Sequence, residues 1–273
     1  MIVALIAASI AAYPSAAPAP WPMMPDAQPA LWVVNDHDTI IYLFGTFHAL
    51  DGRSAWFNDE VKTAFVQSNE LVLETLIPPP PGQPAPAAND SGDDSHLKPI
   101  GPMPPVAGSA SFLSTSKAVM SAGRTQGMST DRGADSVLRR AAEATGKPVS
   151  GLESFEYQIE MFSRLRGATP PANPQQAADM SAALAAILQR LQSAWNQGDA
   201  ESFAPMLDEM SVRSPETYRL MFADRNSRWA GWIGHRLQQP GTVFVAVGAG
   251  HLAGRDSVQS KLAQANIRVA RVN

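Results

Sequence analysis

Two apolar runs, "LWVV" at 31–34 and "TIIYLF" at 39–44, flank the polar stretch "NDHD". Both are rich in β-branched and aromatic residues, and the polar break between them predicts a β-hairpin with a short turn. The period then changes. In "SAWFNDEVKTAFVQS", Trp56, Val61, Ala64 and Phe65 recur at helical spacing. "ELVLETL" is a short buried strand. Helical patterning resumes at "DRGADSVLRRAAEATG", where Gly146 stops the helix before "KPVSGLE". "SFEYQIEMFSRL" and "QQAADMSAALAAILQRLQSAW" follow. In the second, Met180, Leu184, Ile187, Leu188, Leu191 and Trp195 form one apolar stripe. "GDAESFAPMLDEM" opens another helix with Asp199 as its N-cap. A long helix covers about 215–238, starting at "SPET", and then come the strand "TVFVAVG", a helix over about 255–265 and the strand "IRVARV". Strands at both ends of the chain and a helical middle predict an α/β sandwich around a mixed sheet.

Composition changes this picture in two places. Residues 78–110, "PPPPGQPAPAANDSGDDSHLKPIGPMPPVAGSA", hold too little apolar surface to offset their ordering entropy, and read as a disordered Pro-rich insertion that contains His96. Residues 1–20 carry an apolar run followed by small residues and prolines. The run is too short to span a bilayer and fits a secretory signal peptide, with "SIA" or "PSA" before a cleavage point. Residues 21–30 are a Pro/Ala-rich lead-in, and 31–273 form one domain with no stable membrane span. With 45% hydrophobic residues the chain can bury a full core. A net charge of −4 with no basic stripe argues against nucleic acid as a partner. The absence of cysteine excludes disulfides, thiolate metal sites and a lipid-anchored N-terminal cysteine. An exported chain without cysteine points to a bacterial periplasmic or secreted location.

The candidate chemistry lies in two like motifs. "IYLFGTFH" and "VFVAVGAGH" each run an apolar strand into Gly-x-x-His, ending at His48 and His251. Ligands of α/β proteins bind where loops leave the carboxyl ends of strands, so neighbouring strands would place both rings in one pocket. Glycine there lets the chain turn sharply or pass close to another group. Glu74 and Glu153 end the strands "LVLE" and "PVSGLE", and a carboxylate there needs a partner, a hydrogen bond or a metal. Arg225 shares the stripe of Tyr218, Met221, Phe222, Trp229, Trp232 and Ile233, so it points inward to an acidic partner or a substrate carboxylate, or snorkels at the stripe edge. Gln158 lies beside Phe155, Ile159 and Phe162 and lines the pocket or caps a backbone group. Two imidazoles and a carboxylate suit a divalent Mn, Co, Zn or Fe ion, and equally a metal-free acid–base set.

At "ALW", "IYLFGTFHAL", "LVLE", "GADSVL", "GKPVSGLES", "RNSRWA" and "VAVGAGHLAG" the sequence resembles the TraB/GumN family, which is related to the TIKI proteases and more distantly to erythromycin-esterase-like and haem-binding ChaN-like proteins. The resemblance implies an internally duplicated α/β sheet, with both histidines in one cleft, and metal-dependent peptide hydrolysis. On that reading His48, His251 and Glu74 hold the metal, and these three with Glu153 form the catalytic set. Arg225, Asn226 and Gln158 bind a peptide or protein substrate, and Asp135 in "GAD" matches as a residue that caps the next helix. The expected function is a periplasmic metal-dependent hydrolase, a peptidase. Its alternatives are a metal-independent esterase-like hydrolase with His48 as base, and a non-catalytic protein that binds a peptide, haem or a regulatory partner.

Overall fold

The computed structural model describes residues 26–76, 109–165 and 171–273, with backbone only for 109–115. The signal segment 1–20, the first half of the lead-in and nearly all of the Pro-rich insertion lie outside the described residues. The second half of the lead-in is docked: the Ala27 amide donates to the Ala55 carbonyl at 3.0 Å and the Gln28 amide to that of Asn196 at 2.7 Å.

The apolar runs become a six-stranded mixed sheet. β1 (Leu31–Asn35) and β2 (Thr39–Thr46) form the expected hairpin around Asp36–Asp38. β3 (Glu70–Thr75), β4 (Val149–Glu153), β5 (Gly241–Gly248) and β6 (Ala270–Arg271) complete it in the order β4-β3-β5-β2-β1-β6. The four strands β4, β3, β5 and β2 run parallel, while β1 is antiparallel to β2 and β6 is antiparallel to β1. The last strand is only two residues long, because only Ala270 and Arg271 pair with β1.

Alternate side chains of the central strands enter two cores, which is why these strands read as continuous apolar runs. Phe44, Leu71 and Phe244 point to one face and meet Trp56, Phe65, Leu138 and Trp195. Three helices supply the last three partners: α1 (Asp59–Gln67), α3 (Ala134–Thr145) and α5 (Pro174–Asn196). Val72, Val243 and Val245 point to the other face and meet Trp229, Ile233 and Leu262. Trp56 precedes its helix, whose cap is Asn58, and stacks on Phe44 with 5.7 Å between ring centroids.

The structure adds α2 (Ser109–Thr125), which the sequence pattern does not announce because its Ser, Thr, Ala and Gly content yields no clear stripe. On α5 only the C-terminal half of the expected stripe is buried: Leu191 and Trp195 are, whereas Ile187 is exposed. α4 (Phe155–Arg164), α6 (Ala204–Arg213) and α9 (Val258–Gln264) fall where the pattern puts them. Asp199 caps a 3-10 turn, Glu201–Phe203, that leads into α6. The long helix is composite: α7 (Pro215–Tyr218), one wide π turn (Arg219–Ala223), then α8 (Asp224–Arg236). Among the described residues no helix is long and apolar enough to cross a membrane.

Candidate active site

Parallel pairing brings the four strand ends to one edge. Thr46 lies opposite Gly248, Leu73 opposite Ala246, and Thr75 opposite Glu153. The two Gly-x-x-His strands are therefore neighbours, and their glycines have reciprocal reasons. A Cβ on Gly45 would meet the Ala249 backbone at 3.2 Å, inside the second motif. A Cβ on Gly248 would meet His48 Nε2 at 3.0 Å and Glu74 Oε2 at 3.5 Å. Neither glycine has a positive φ. Close approach, and not a sharp turn, is what each position requires. A third glycine completes the fit, since a Cβ on Gly133 would fall 2.1 Å from the His48 carbonyl oxygen.

That contact sets the start of α3 against the end of β2. The Ala134 amide donates to the Phe47 carbonyl at 3.0 Å, and Asp135 faces the first histidine. Asp135 Oδ2 lies 2.8 Å from His48 Nδ1, and its Oδ1 accepts from the Thr46 hydroxyl at 2.8 Å. A carboxylate can only accept there, so Nδ1 carries the proton and Nε2 lies on the side of Gly248. The His48 side chain leaves 63% of its surface open. Asp135 raises the His48 pKa to about 9 against the opposing effect of burial, with a smaller push from Glu74.

His251 is different: buried, and fully bonded. Its ring lies between Phe222 and Trp229, with centroids at 4.9 and 4.4 Å. Asn226 donates through Nδ2 to the Asp256 carbonyl at 2.7 Å, which turns Oδ1 toward His251 Nδ1 at 2.6 Å. His251 therefore donates from Nδ1 and accepts at Nε2 from Arg225 Nη1 at 3.2 Å. Burial, then the charge of Arg225, lowers its pKa to about 3 and keeps the ring neutral.

Arg225 is the hub, 2% exposed. Nε–H is shared between both Glu153 oxygens at 2.9 and 3.0 Å. Nη1 donates to His251 and to the Met221 carbonyl at 3.2 Å, a carbonyl within the π turn. Nη2 donates to Glu153 Oε2 at 2.7 Å and to Glu74 Oε1. All five N–H groups are engaged. Glu153 is wholly buried, and Arg228 also reaches it at 3.1 Å. Glu74 additionally accepts from Gln158 Nε2 at 3.3 Å and from the Gly248 amide at 3.2 Å. Burial would raise the Glu74 pKa, but Arg225, His251 and His48 together outweigh it and hold the carboxyl well below its ordinary range.

Six of the seven residues singled out from the sequence, Glu74, Glu153, Gln158, Arg225, Asn226 and His251, thus share one hydrogen-bonded network, and His48 stands beside it, bonded to Asp135. Arg225 reaches it by pointing inward, not by snorkelling. With every donor taken by protein, it has none left for the substrate carboxylate considered above. Sequence reasoning gave Asp135 only a capping role and left out Thr46, Arg228 and Tyr157. The match at "GAD" signalled the first, and "RNSRWA" contains Arg228.

The outward-anchored Nδ1 of both histidines is the arrangement that orients imidazole ligands toward a metal. The remaining geometry does not fit a three-ligand site. His251 Nε2 is 3.9 Å from Glu74 Oε2, but its lone pair is engaged by Arg225. His48 Nε2 does not join those two atoms within 4.8 Å; among the described residues only Asp36, His37 and Asp38, exposed in the hairpin turn, bring three such ligand atoms that close. A buried guanidinium beside two of the three ligands also repels a dication.

Fold and site define an α/β protein that brings a His–Asp pair and an Arg–Glu core together at the carboxyl edge of its parallel strands. The TraB/PrgY/gumN family model matches residues 30–93 and 88–271, most of the chain, and the chain belongs to that family. No curated protein and no solved structure matches it.

Proposed function

We propose that this strand edge forms a substrate cleft and is a hydrolytic active site for a peptide or ester bond, with His48 as its proton-transfer residue. The observation that carries this reading is the open Nε2 of His48, opposite an Nδ1 fixed by Asp135. In its neutral form His48 takes a proton from water as the water oxygen attacks the substrate carbonyl carbon. Asp135 and Glu74 stabilise the imidazolium that results. The same Nε2 then returns the proton to the leaving nitrogen or oxygen as its bond to carbon breaks. The Arg225, Glu153 and His251 network holds Glu74 and the β5 loop in place. The peptide class rests on the resemblance to the TIKI proteases.

The outward anchoring of both Nδ1 atoms favours a second reading, a divalent-metal hydrolase with His48, Glu74 and His251 as ligands. The chemistry such an ion supplies when bound is a lowered pKa of its water. That reading requires Arg225 to release His251 Nε2. Export to a periplasm rests on the 1–20 segment alone, and the mass of the mature chain from cells tests it.

The deciding assay is hydrolysis of a peptide and ester panel by wild type and His48→Ala, before and after chelation and dialysis. Loss in His48→Ala with full chelator resistance supports metal-free acid–base catalysis. Loss on chelation, restored by Mn, Co, Zn or Fe, supports the second reading. Full turnover in His48→Ala sinks both.

A further inference from the structure

Arg225 has no donor left, whereas its neighbour three residues on has several. Arg228 Nη2 donates to Glu153 Oε1 at 3.1 Å and to the Tyr157 hydroxyl. Among the described residues its Nε is buried without a partner, and both of its hydrogen bonds leave from Nη2. Three of its five N–H groups therefore make no bond to another described residue. The guanidinium stacks over the Tyr157 ring at 4.7 Å from its centroid, and 30% of the side chain is exposed. Thr75 Oγ1, on the residue opposite Glu153 across the strand register, is a second buried polar atom without a partner among the described residues. Unsatisfied polar groups at these strand ends call for a ligand to complete them.

From this we infer that Arg228 is the anion-recognition arm of the cleft, and that the substrate carries a carboxylate on the β4 side of the bond to be cut. The inference rests on the reading of the cleft as a substrate site. Arg228 is preorganised, held from below by the Tyr157 ring and from one side by Glu153, so ordering it costs a ligand little. A monoanion matches the single guanidinium. A dianion such as phosphate would add repulsion from Glu153 and Glu74 in the same low-dielectric surroundings.

The test is calorimetric binding of N-acetyl-trialanine with a free C-terminal carboxylate, against the same peptide as its C-terminal amide. Wild type should bind the acid at least about tenfold more tightly, a gap of about 1.4 kcal/mol. Arg228→Gln should erase the gap, and Tyr157→Phe, which keeps the supporting ring, should preserve it. Should Arg228→Gln fail to fold, Arg228→Lys carries the test: it keeps a charge beside Glu153 and must weaken the acid peptide without changing the amide. Equal binding of the two peptides, a preference that survives both Arg228 variants, or no binding of the acid at millimolar concentration overturns the inference. A preference with no turnover of either peptide leaves the inference standing and counts against hydrolysis. Turnover with no preference does the reverse.

Discussion

Replacing Arg225 by Met keeps most of its length and apolar contact with Trp229 and removes every donor. Glu153, wholly buried, then retains only the 3.1 Å contact from Arg228, and Glu74 keeps Gln158 and the Gly248 amide. Removing one partner of a buried ion pair costs about 3–5 kcal/mol, because the other charge stays uncompensated in a low-dielectric interior. Against a total stability of about 5–15 kcal/mol, that is a large fraction. For a chain of this size it corresponds to a fall in Tm of roughly 6–20 °C. Urea unfolding followed by circular dichroism measures it, provided the slope with denaturant is unchanged. The double variant Arg225→Met/Glu153→Met, with the stranded carboxylate gone, should be clearly more stable than the sum of the two single losses. A loss below about 1 kcal/mol for Arg225→Met, or additive losses in the double variant, would refute the claim that this buried network holds the strand ends together.

Three further outcomes follow from the same geometry. With a His48 pKa near 9, about one ring in a hundred is neutral at pH 7, so hydrolysis should climb with pH toward 9. Asp135→Asn should move that rise down by about one pH unit or more, and a pH profile unaffected by the substitution would remove Asp135 from the mechanism. Stability should peak near pH 6.5. Above it, the folded chain keeps a proton on His48 that the unfolded chain releases, so stability falls as pH rises through about 9. Below it, the unfolded chain protonates its histidines while folded His251 stays neutral down to about 3 and Glu74 stays ionised, so stability falls again on acidification. Urea midpoints at pH 4, 6.5 and 9.5 check this, with His48→Ala expected to flatten the alkaline limb; a midpoint still rising at pH 9.5 contradicts it. Finally, Gly248→Ala should fold with little loss yet cut turnover at least about tenfold, because its Cβ enters the space between His48 and Glu74. Wild-type kcat/KM in that variant would show that the space is not used.

The strands around Phe44, Leu71 and Phe244 were legible because a parallel strand buried on both faces writes itself as an unbroken apolar run. α2 was not, since helices held by neighbours need no strong stripe of their own. Four site residues were legible at strand ends, Arg225 on a helical stripe, Gln158 beside the apolar residues of another helix, and Asn226 through the resemblance at "RNSRWA". Their division of labour was not. Nothing in the spacing of His48 and His251 tells that one ring is largely open and the other is sealed between Phe222 and Trp229. Equally, the pairing that commits Arg225 and frees Arg228 depends on where Glu153 comes to rest, which is a property of the β3–β4 register. Asp135 was visible as a helix-start carboxylate. Its contact with His48 depends on Gly133 lying against the His48 carbonyl, a packing fact that no local pattern records.

The wide turn at Arg219–Ala223 has a consequence for the phase of its helix. Successive residues of an α-helix are about 100° apart, so closing that turn by deleting one residue would rotate everything beyond it by about that angle relative to Tyr218. Tyr218 is fixed from outside by its hydroxyl on Asp256, 2.9 Å away, and Phe222 faces His251 from within the wide turn. Arg225 and Trp229 would therefore be the residues to swing, with the guanidinium leaving both glutamates. The helix would still form, and its composition would barely change. This stretch thus works as a phase adjuster: its count of residues matters more than their identity, and a single-residue deletion there should be worse than most substitutions in the same five positions.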